Sequence, residues 1–180
     1  MIARAALEFV QDGDSVFVDA GTTTCEVARL LNQRKDLQIM TNSLLAANVL
    51  AGNSENRLTM CSGEYRILSM AFMGQMTDEF LEAFRFDVLF LGVEGITPEE
   101  IYVPDEKDGI TKKKLIRQSN TVICVADHSK IGQMFHYRIA SLESVNHLVT
   151  DSGLYAEQAE PLREKTDVIL ASTSAQRLWV

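Results

Sequence analysis

Cysteine, histidine and proline are scarce in this chain of 180 residues, with three of each. Cys25, Cys61 and Cys124 are odd in number and widely spaced, and no C-x-x-C pair occurs. Neither a disulfide framework nor a zinc site is expected from that spacing, and reduced thiols fit a cytoplasmic protein. His128, His136 and His147 lack ligand spacing with the cysteines, so no metal and no cofactor is expected. No apolar run is long enough to cross a membrane, and Met1-Ile2-Ala3-Arg4-Ala5-Ala6 leads into charged, amphipathic sequence instead of a signal-peptide core. Positive charge is also short: 17 Lys and Arg face 25 Asp and Glu, a net charge of −8. That field repels polyanions, so this domain by itself is not expected to grip nucleic acid. The one basic cluster, Lys112-Lys113-Lys114, points in three directions on a helix and reads as a solvated face. Repeats, low-complexity tracts and proline-rich linkers are absent as well. A single domain over residues 1–180 is expected, large enough to bury about 70% of its unfolded surface. Patterned structure is expected everywhere but in the last few residues.

What the chain does have is an alternation. Ile2 to Val10 reads as a short helix with Ile2, Ala5, Ala6 and Phe9 on one face. Short apolar runs then recur at Val16 to Val18, Leu37 to Met40, Leu58 to Cys61, Val88 to Leu91, Val122 to Ala126, His147 to Val149 and Val168 to Leu170. Several are β-branched and none alternates cleanly with polar residues, the pattern of strands covered on both faces. Helical segments lie between them: Thr24 to Asn32, Leu44 to Ala51, Met76 to Phe84, Thr111 to Ser119 and Ala156 to Lys165. Strands alternating with helices predict an α/β fold, a doubly wound and mostly parallel sheet with helices on both faces. A small excursion is expected between Ile96 and Ile110, where Pro98, Pro104, Gly109 and many charges collect.

Small polar residues follow the strands: Asp19-Ala20-Gly21-Thr22, Thr41-Asn42-Ser43, Ser62-Gly63-Glu64, Gly92-Val93-Glu94, Asp127-His128-Ser129-Lys130 and Thr150-Asp151-Ser152. In an open parallel sheet all these ends share one edge, where ligands bind. The turn Gly21-Thr22-Thr23-Thr24 is the sharpest signal. Gly21 allows a positive φ and close approach of a ligand, and the free N–H groups of the helix that follows attract an anion. Thr23 and Glu26 also stand at capping-box spacing, so helix capping remains an equal reading of the same threonines. Asn42 or Ser43 is a natural N-cap for the helix at Leu44. Lys130 supplies a point charge for a phosphate, and the strand ends add Gly63 and Glu94 to the candidate binding residues. No serine or cysteine nucleophile beside a base emerges from the spacing, so no catalytic residue is assigned and His128 reads as structural. Cys124 reads as core.

Taken in order, the N-terminal helix, Asp-Gly-Asp, an apolar strand, Asp19-x-Gly-Thr-Thr-Thr, Thr41-Asn42-Ser43, Asp127-x-Ser129-Lys130 and Thr150-Asp151 resemble the effector-sensing domain of DeoR-type bacterial transcriptional repressors. The resemblance covers about Ile2 to about Leu170. It implies the fold of ribose-5-phosphate isomerase and glucosamine-6-phosphate deaminase, a phosphorylated sugar or related metabolite as ligand, and assembly as a homodimer or homotetramer. It implies a winged helix-turn-helix that contacts operator DNA, with this chain starting where such a domain would end. Carried over to this chain, the pocket would include Asp19, Gly21, Thr22, Thr23, Thr24, Thr41, Asn42, Ser43 and Lys130. Two stretches depart from the family pattern, Ser62-Gly63 where a Gly-Gly pair is usual and residues 104–111 where a glycine-rich loop is usual, and both concern the sugar-facing side. An isomerase or deaminase on the same fold is the competing expectation, with Asp19, Glu94 and Asp127 as candidate bases. A dinucleotide or P-loop site is disfavoured, because neither G-x-G-x-x-G nor G-x-x-x-x-G-K-[ST] is present.

Overall fold

The computed structural model describes residues 1–171; the last few residues, for which the sequence predicts no pattern, lie outside the described residues. The chain begins with helix α1 (Ile2–Ala6), a 3-10 turn (Leu7–Phe9), strand β1 (Ser15–Val18), helix α2 (Thr22–Leu31), strand β2 (Gln38–Thr41) and helix α3 (Leu44–Leu50). Strands β3 (Arg57–Met60), β4 (Glu64–Arg66) and β5 (Ala71–Met73) lead to helix α4 (Gln75–Leu81) and strand β6 (Phe86–Leu91). After β7 (Gly95–Ile96) and β8 (Glu100–Val103) come helix α5 (Glu106–Arg117) and strand β9 (Ser119–Val125). Strands β10 (Tyr137–Ser141) and β11 (His147–Asp151), helix α6 (Ala156–Arg163) and strand β12 (Asp167–Ala171) complete it.

The seven apolar runs form one seven-stranded sheet, in the order β12-β11-β9-β6-β1-β2-β3, and every pairing in it is parallel. The sequence shows no polar alternation because both faces are buried. Val16 and Val18 of β1 point into one core with α1, α2 and α3, while Phe17 points into the other with α4, α5 and α6. β6 and β9 divide the same way, Val88, Phe90, Ile123 and Val125 against Leu89, Leu91, Val122 and Cys124. The expected doubly wound α/β sheet with helices on both faces is therefore the observed one. No described helix is long and apolar enough to cross a membrane.

The chain starts at β1, steps outward through β2 and β3, and returns past β1 to β6 before stepping outward the other way. The sheet order thus reverses between β1 and β6, the place at which open parallel sheets bind ligands. Two small antiparallel units border the sheet, the hairpin β4-β5 and the three-stranded set β10-β8-β7. The excursion expected over residues 96–110 is only partly one. Its first half forms β7 and β8, but the helix expected from Thr111 begins at Glu106, with the Asp105 side chain accepting from the Asp108 N–H at 3.1 Å. Acidic Glu106 and Asp108 in the first turn suit the positive end of that helix.

Candidate functional site

β1 delivers Asp19 to the switch point. Its backbone N–H donates to the Phe90 carbonyl at 3.1 Å, and its side chain is fully buried. Oδ2 accepts the Gly92 N–H at 3.0 Å, which ties the end of β1 to the end of β6. Gly92 suits this approach, since a Cβ there would lie 3.1 Å from the Ala20 carbonyl oxygen, a tight contact. The same Oδ2 receives the Lys112 ammonium. Lys112, in the middle of α5, is only 2% exposed and also pairs with Asp108 at 3.2 Å, one helical turn back. Burial alone would pull the Lys112 pKa down, but Asp108, Asp19 and Glu94 outweigh it and hold the ammonium above the ordinary lysine range.

The expectation of a solvated lysine triplet is thus corrected. Lys112 is at the heart of the switch point, Lys113 lies over the Tyr137 ring at 4.4 Å, and Lys114 donates to the Asp78 carbonyl at 2.6 Å and to Glu82 at 2.9 Å. Asp108, Asp19 and Glu94 supply the compensation that burial of an ammonium requires. Lys112 and Asp108 are the residues that sequence reasoning missed. Their i, i+4 acid–base spacing was the available signal.

The Gly21 turn resolves the choice between cap and anion site in one respect. α2 starts at Thr22 with Gly21 as N-cap, and no side chain caps it. The capping box expected from Thr23 and Glu26 does not form. Gly21 adopts φ 157°, and Thr24 donates its hydroxyl to the Gly21 carbonyl at 3.0 Å instead of accepting from the helix. The N–H groups of the first turn are left without side-chain acceptors, beside the half-buried Thr23 and exposed Thr22. A cleft of about 350 Å³ opens against them, lined by Ile2, Thr22, Thr23, Glu26 and Asp151 among others.

At the end of β2, Thr41 and Ser43 are committed to the fold. The Thr41 hydroxyl donates to the Val18 carbonyl at 2.6 Å, and the Ser43 hydroxyl accepts from the Ala46 N–H at 3.2 Å as the N-cap of α3. Asn42 between them is fully buried, and neither its Oδ1 nor its Nδ2 has a hydrogen-bond partner. Its backbone is held in place by β5, through Phe72 N–H to the Asn42 carbonyl at 2.8 Å. Gly63 has a packing role: a Cβ there would come within 2.0 Å of the Thr77 hydroxyl, which itself donates to the Ser62 carbonyl.

Glu94 follows Gly92 by two residues, and its Oε2 is buried without a partner. Burial raises its pKa against the pull of Lys112, with Asp108 and Asp19 adding to the rise and Lys130 opposing it. Lys130 ends a 3-10 turn (His128–Lys130) whose N-cap, Asp127, accepts from the Ser129 N–H at 2.9 Å. His128 is structural, as expected: its Nδ1 lies 2.8 Å from Asp151, whose carboxylate also accepts the His128 and Gly153 N–H groups. Asp127, His128 and Asp151 are near enough to share an ion, and both Asp151 oxygens and Asp127 Oδ1 already accept hydrogen bonds. The thiols offer no nucleophile, since burial pushes Cys61 and Cys124 up to about 12.

Of the residues expected at the strand ends, Asp19 is bonded directly to the end of β6, and Glu94 lies within electrostatic range of Asp19, Lys112 and Lys130. Asp19 Oδ1, both Asn42 amide atoms, Glu94 Oε2 and the Thr150 hydroxyl, all on residues at or just beyond the carboxyl ends of the parallel strands, are buried and unpartnered. Thr24, Thr41, Ser43 and Gly63 spend their polar or steric capacity on the scaffold.

Residues 1–152 match the family described as the DeoR C terminal sensor domain. The chain is 33% identical over 171 residues to a putative aga operon transcriptional repressor of Escherichia coli O157:H7, covering 94% of this chain and 64% of that protein. It is 35% identical over 150 residues to the HTH-type transcriptional repressor GlcR of Bacillus subtilis, covering 83% and 58%. To the glycerol-3-phosphate regulon repressor of Escherichia coli K12 it is 34% identical over 152 residues, covering 84% and 60%. The chain thus spans about three fifths of the length of these relatives. Among solved structures, ribose 5-phosphate isomerase A from Neisseria gonorrhoeae superposes with a TM-score of 0.52 at 16% identity, over 72% of this chain and 51% of that one. eIF2B beta from Chaetomium thermophilum gives 0.59 at 12% identity, over 82% and 46%. These two likenesses concern the fold alone.

Proposed function

The chain belongs to the DeoR C-terminal sensor domain family, and from that premise we propose that it is the effector-sensing domain of a transcriptional repressor of carbohydrate metabolism. In this reading a phosphorylated sugar or related metabolite binds in the crevice between β1 and β6. Its phosphate meets the uncapped first turn of α2, the hydroxyls of Thr22 and Thr23, and Lys130. Its other end reaches Asp19, Asn42 and Glu94. Operator DNA is contacted by a winged helix-turn-helix outside these residues, in a cytoplasmic homodimer or homotetramer. Ligand changes operator affinity only by binding one arrangement of the subunits more tightly than another.

The observation that carries the proposal is the set of buried, unpartnered polar atoms at the carboxyl ends of the sheet. Native proteins rarely leave such atoms unpaired, because each costs about 1–3 kcal/mol. A bound polyhydroxyl ligand would satisfy them. The repressor names of the curated relatives favour a regulator over an enzyme. Lys112 is held charged between Asp19 and Asp108, so it is not free to act as a base.

A thermal-shift screen over sugar phosphates tests the reading, because a ligand bound only by the native state raises the melting temperature. Thr23→Ala combined with Lys130→Ala should abolish that stabilisation while leaving the ligand-free melting temperature nearly unchanged. An unaltered ligand response would misplace the phosphate end. Turnover of ribose 5-phosphate or glucosamine 6-phosphate by pure protein would overturn the sensor reading.

A further inference from the structure

The inner end of the crevice has an imbalance of charge and of donors. Three acidic groups gather there, Asp19 from β1, Glu94 from beyond β6 and Asp108 from α5, around one interior cation, Lys112, and burial raises the pKa of Asp19 and of Glu94. The other titratable groups turned toward it are the neutral thiols of Cys61 and Cys124, and Lys130 across from Glu94. Lys112 directs its ammonium to Asp19 Oδ2 and Asp108 Oδ1. What remains unpaired is one oxygen of Asp19, which is fully buried, and one of Glu94, with the buried Asn42 amide nearby in the same row of strand ends.

We propose that the ligand end opposite the phosphate carries an ammonium group, held by Asp19 Oδ1 and Glu94 Oε2, so that the site selects a phosphorylated amine, such as an amino-sugar phosphate, over its hydroxyl analogue. The proposal rests on the reading of the crevice as a phosphorylated-metabolite site. A carboxylate at this end would meet two anionic oxygens and is rejected. A hydroxyl brings one donor and no charge, enough for one of the two oxygens. An ammonium brings three donors and the missing positive charge, and charged hydrogen bonds are about twice as strong as neutral ones. The site is then dipolar, with helix N–H groups and Lys130 for the anionic end and carboxylates for the cationic end.

Matched pairs test this by calorimetric titration of the purified chain at neutral pH: glucosamine 6-phosphate against glucose 6-phosphate, galactosamine 6-phosphate against galactose 6-phosphate, and phosphoethanolamine against ethylene glycol phosphate. In the pair that binds most tightly, the amine is expected to bind about tenfold more tightly than the hydroxyl compound. Glu94→Gln should reduce that advantage to about threefold or less, read as the ratio of the two dissociation constants within the variant. Equal or tighter binding of the hydroxyl compound overturns the inference and leaves the sugar-phosphate reading standing. Binding of none of the six overturns both. An amine preference that survives Glu94→Gln overturns the role given to Glu94.

Discussion

Lys112 is the residue whose neighbours in sequence say least about its neighbours in space. A run of three lysines reads as a wet surface, and only the packing of α5 against the switch point turns one of them inward to Asp19. Removing one partner of a buried ion pair leaves the other charge uncompensated, which typically destabilises by about 3–5 kcal/mol. Lys112→Met should therefore lower stability by about that much in urea unfolding, with Lys112→Met/Asp19→Asn recovering part of the loss. Full additivity in the double variant would mean the two do not act as a pair. Asp19, Asn42, Thr22 and Thr23 were legible as polar residues at the carboxyl ends of buried strands, and the structure places them there. The division of labour among them was not legible. Whether Thr24 bonds its own turn or a ligand depends on a single rotamer, which sequence does not encode. At the opposite edge of the sheet, Asp87 accepts both the N–H and the hydroxyl of Ser15, at 2.9 and 2.6 Å, and the Asn120 amide at 3.2 Å. Those bonds hold its carboxyl below the ordinary value of 3.8. A carboxyl lowered in the folded state adds stability that is fully present above its unfolded pKa and is lost as pH falls toward its folded one. Asp87→Asn should thus reduce stability at neutral pH and flatten the loss of stability as pH falls below about 4, measured by urea unfolding at neutral and acid pH. An unchanged acid limb would show that Asp87 titrates as it does in the unfolded chain.

Among the elements, the seven parallel strands were legible because burial on both faces leaves an unbroken apolar run, and each expected run has its strand. The short antiparallel strands β4, β5, β7, β8 and β10 were not, since runs of two to five residues are too short to show a period. α5 shows why its start was missed: Gly109, counted as a breaker, sits inside the helix because the Tyr137 ring packs against it, and a Cβ there would lie 2.2 Å from the ring. Alanine for glycine in a helix gains about 0.5–1 kcal/mol by propensity, whereas overpacking typically loses about 1–3 kcal/mol. The clash is with a ring held against α5 by Lys113, so packing should win. Gly109→Ala is expected to destabilise by about 1–2 kcal/mol, and Tyr137→Leu in the same chain should restore the propensity gain. Stabilisation by Gly109→Ala alone would show that the ring yields. For α3 the sequence pointed to Asn42 or Ser43 as N-cap, and the structure selects Ser43. Ser43→Ala should cost about 1 kcal/mol in the same assay, since the seven-residue helix has no other side-chain cap at that end.

For the molecule as a whole, the topology makes one demand on any ligand of the crevice. The sheet's two halves meet at β1 and β6, whose carboxyl ends are joined by the Asp19–Gly92 bond and the packing around Lys112. A ligand that spans from Thr23 and Asn42 on one side to Glu94 and Lys130 on the other must restrain both halves at once. At a concentration one hundred times its Kd it stabilises by about 2.7 kcal/mol, which for a chain of this size corresponds to a rise of about 5–10 °C in melting temperature. Hydrogen exchange should then slow in the carboxyl-edge turns of both halves, residues 19–24 and 42–46 together with 92–94 and 127–130. The amino-edge turns at residues 33–36, 53–56 and 145–146 should change only as far as global stability requires, because they lie a strand length away. Protection limited to one half would place the ligand on a single helix terminus and remove the switch point from the mechanism. Protection strongest at the amino edge would place the ligand at the opposite end of the sheet, where the Ser15–Asp87–Asn120 contacts lie.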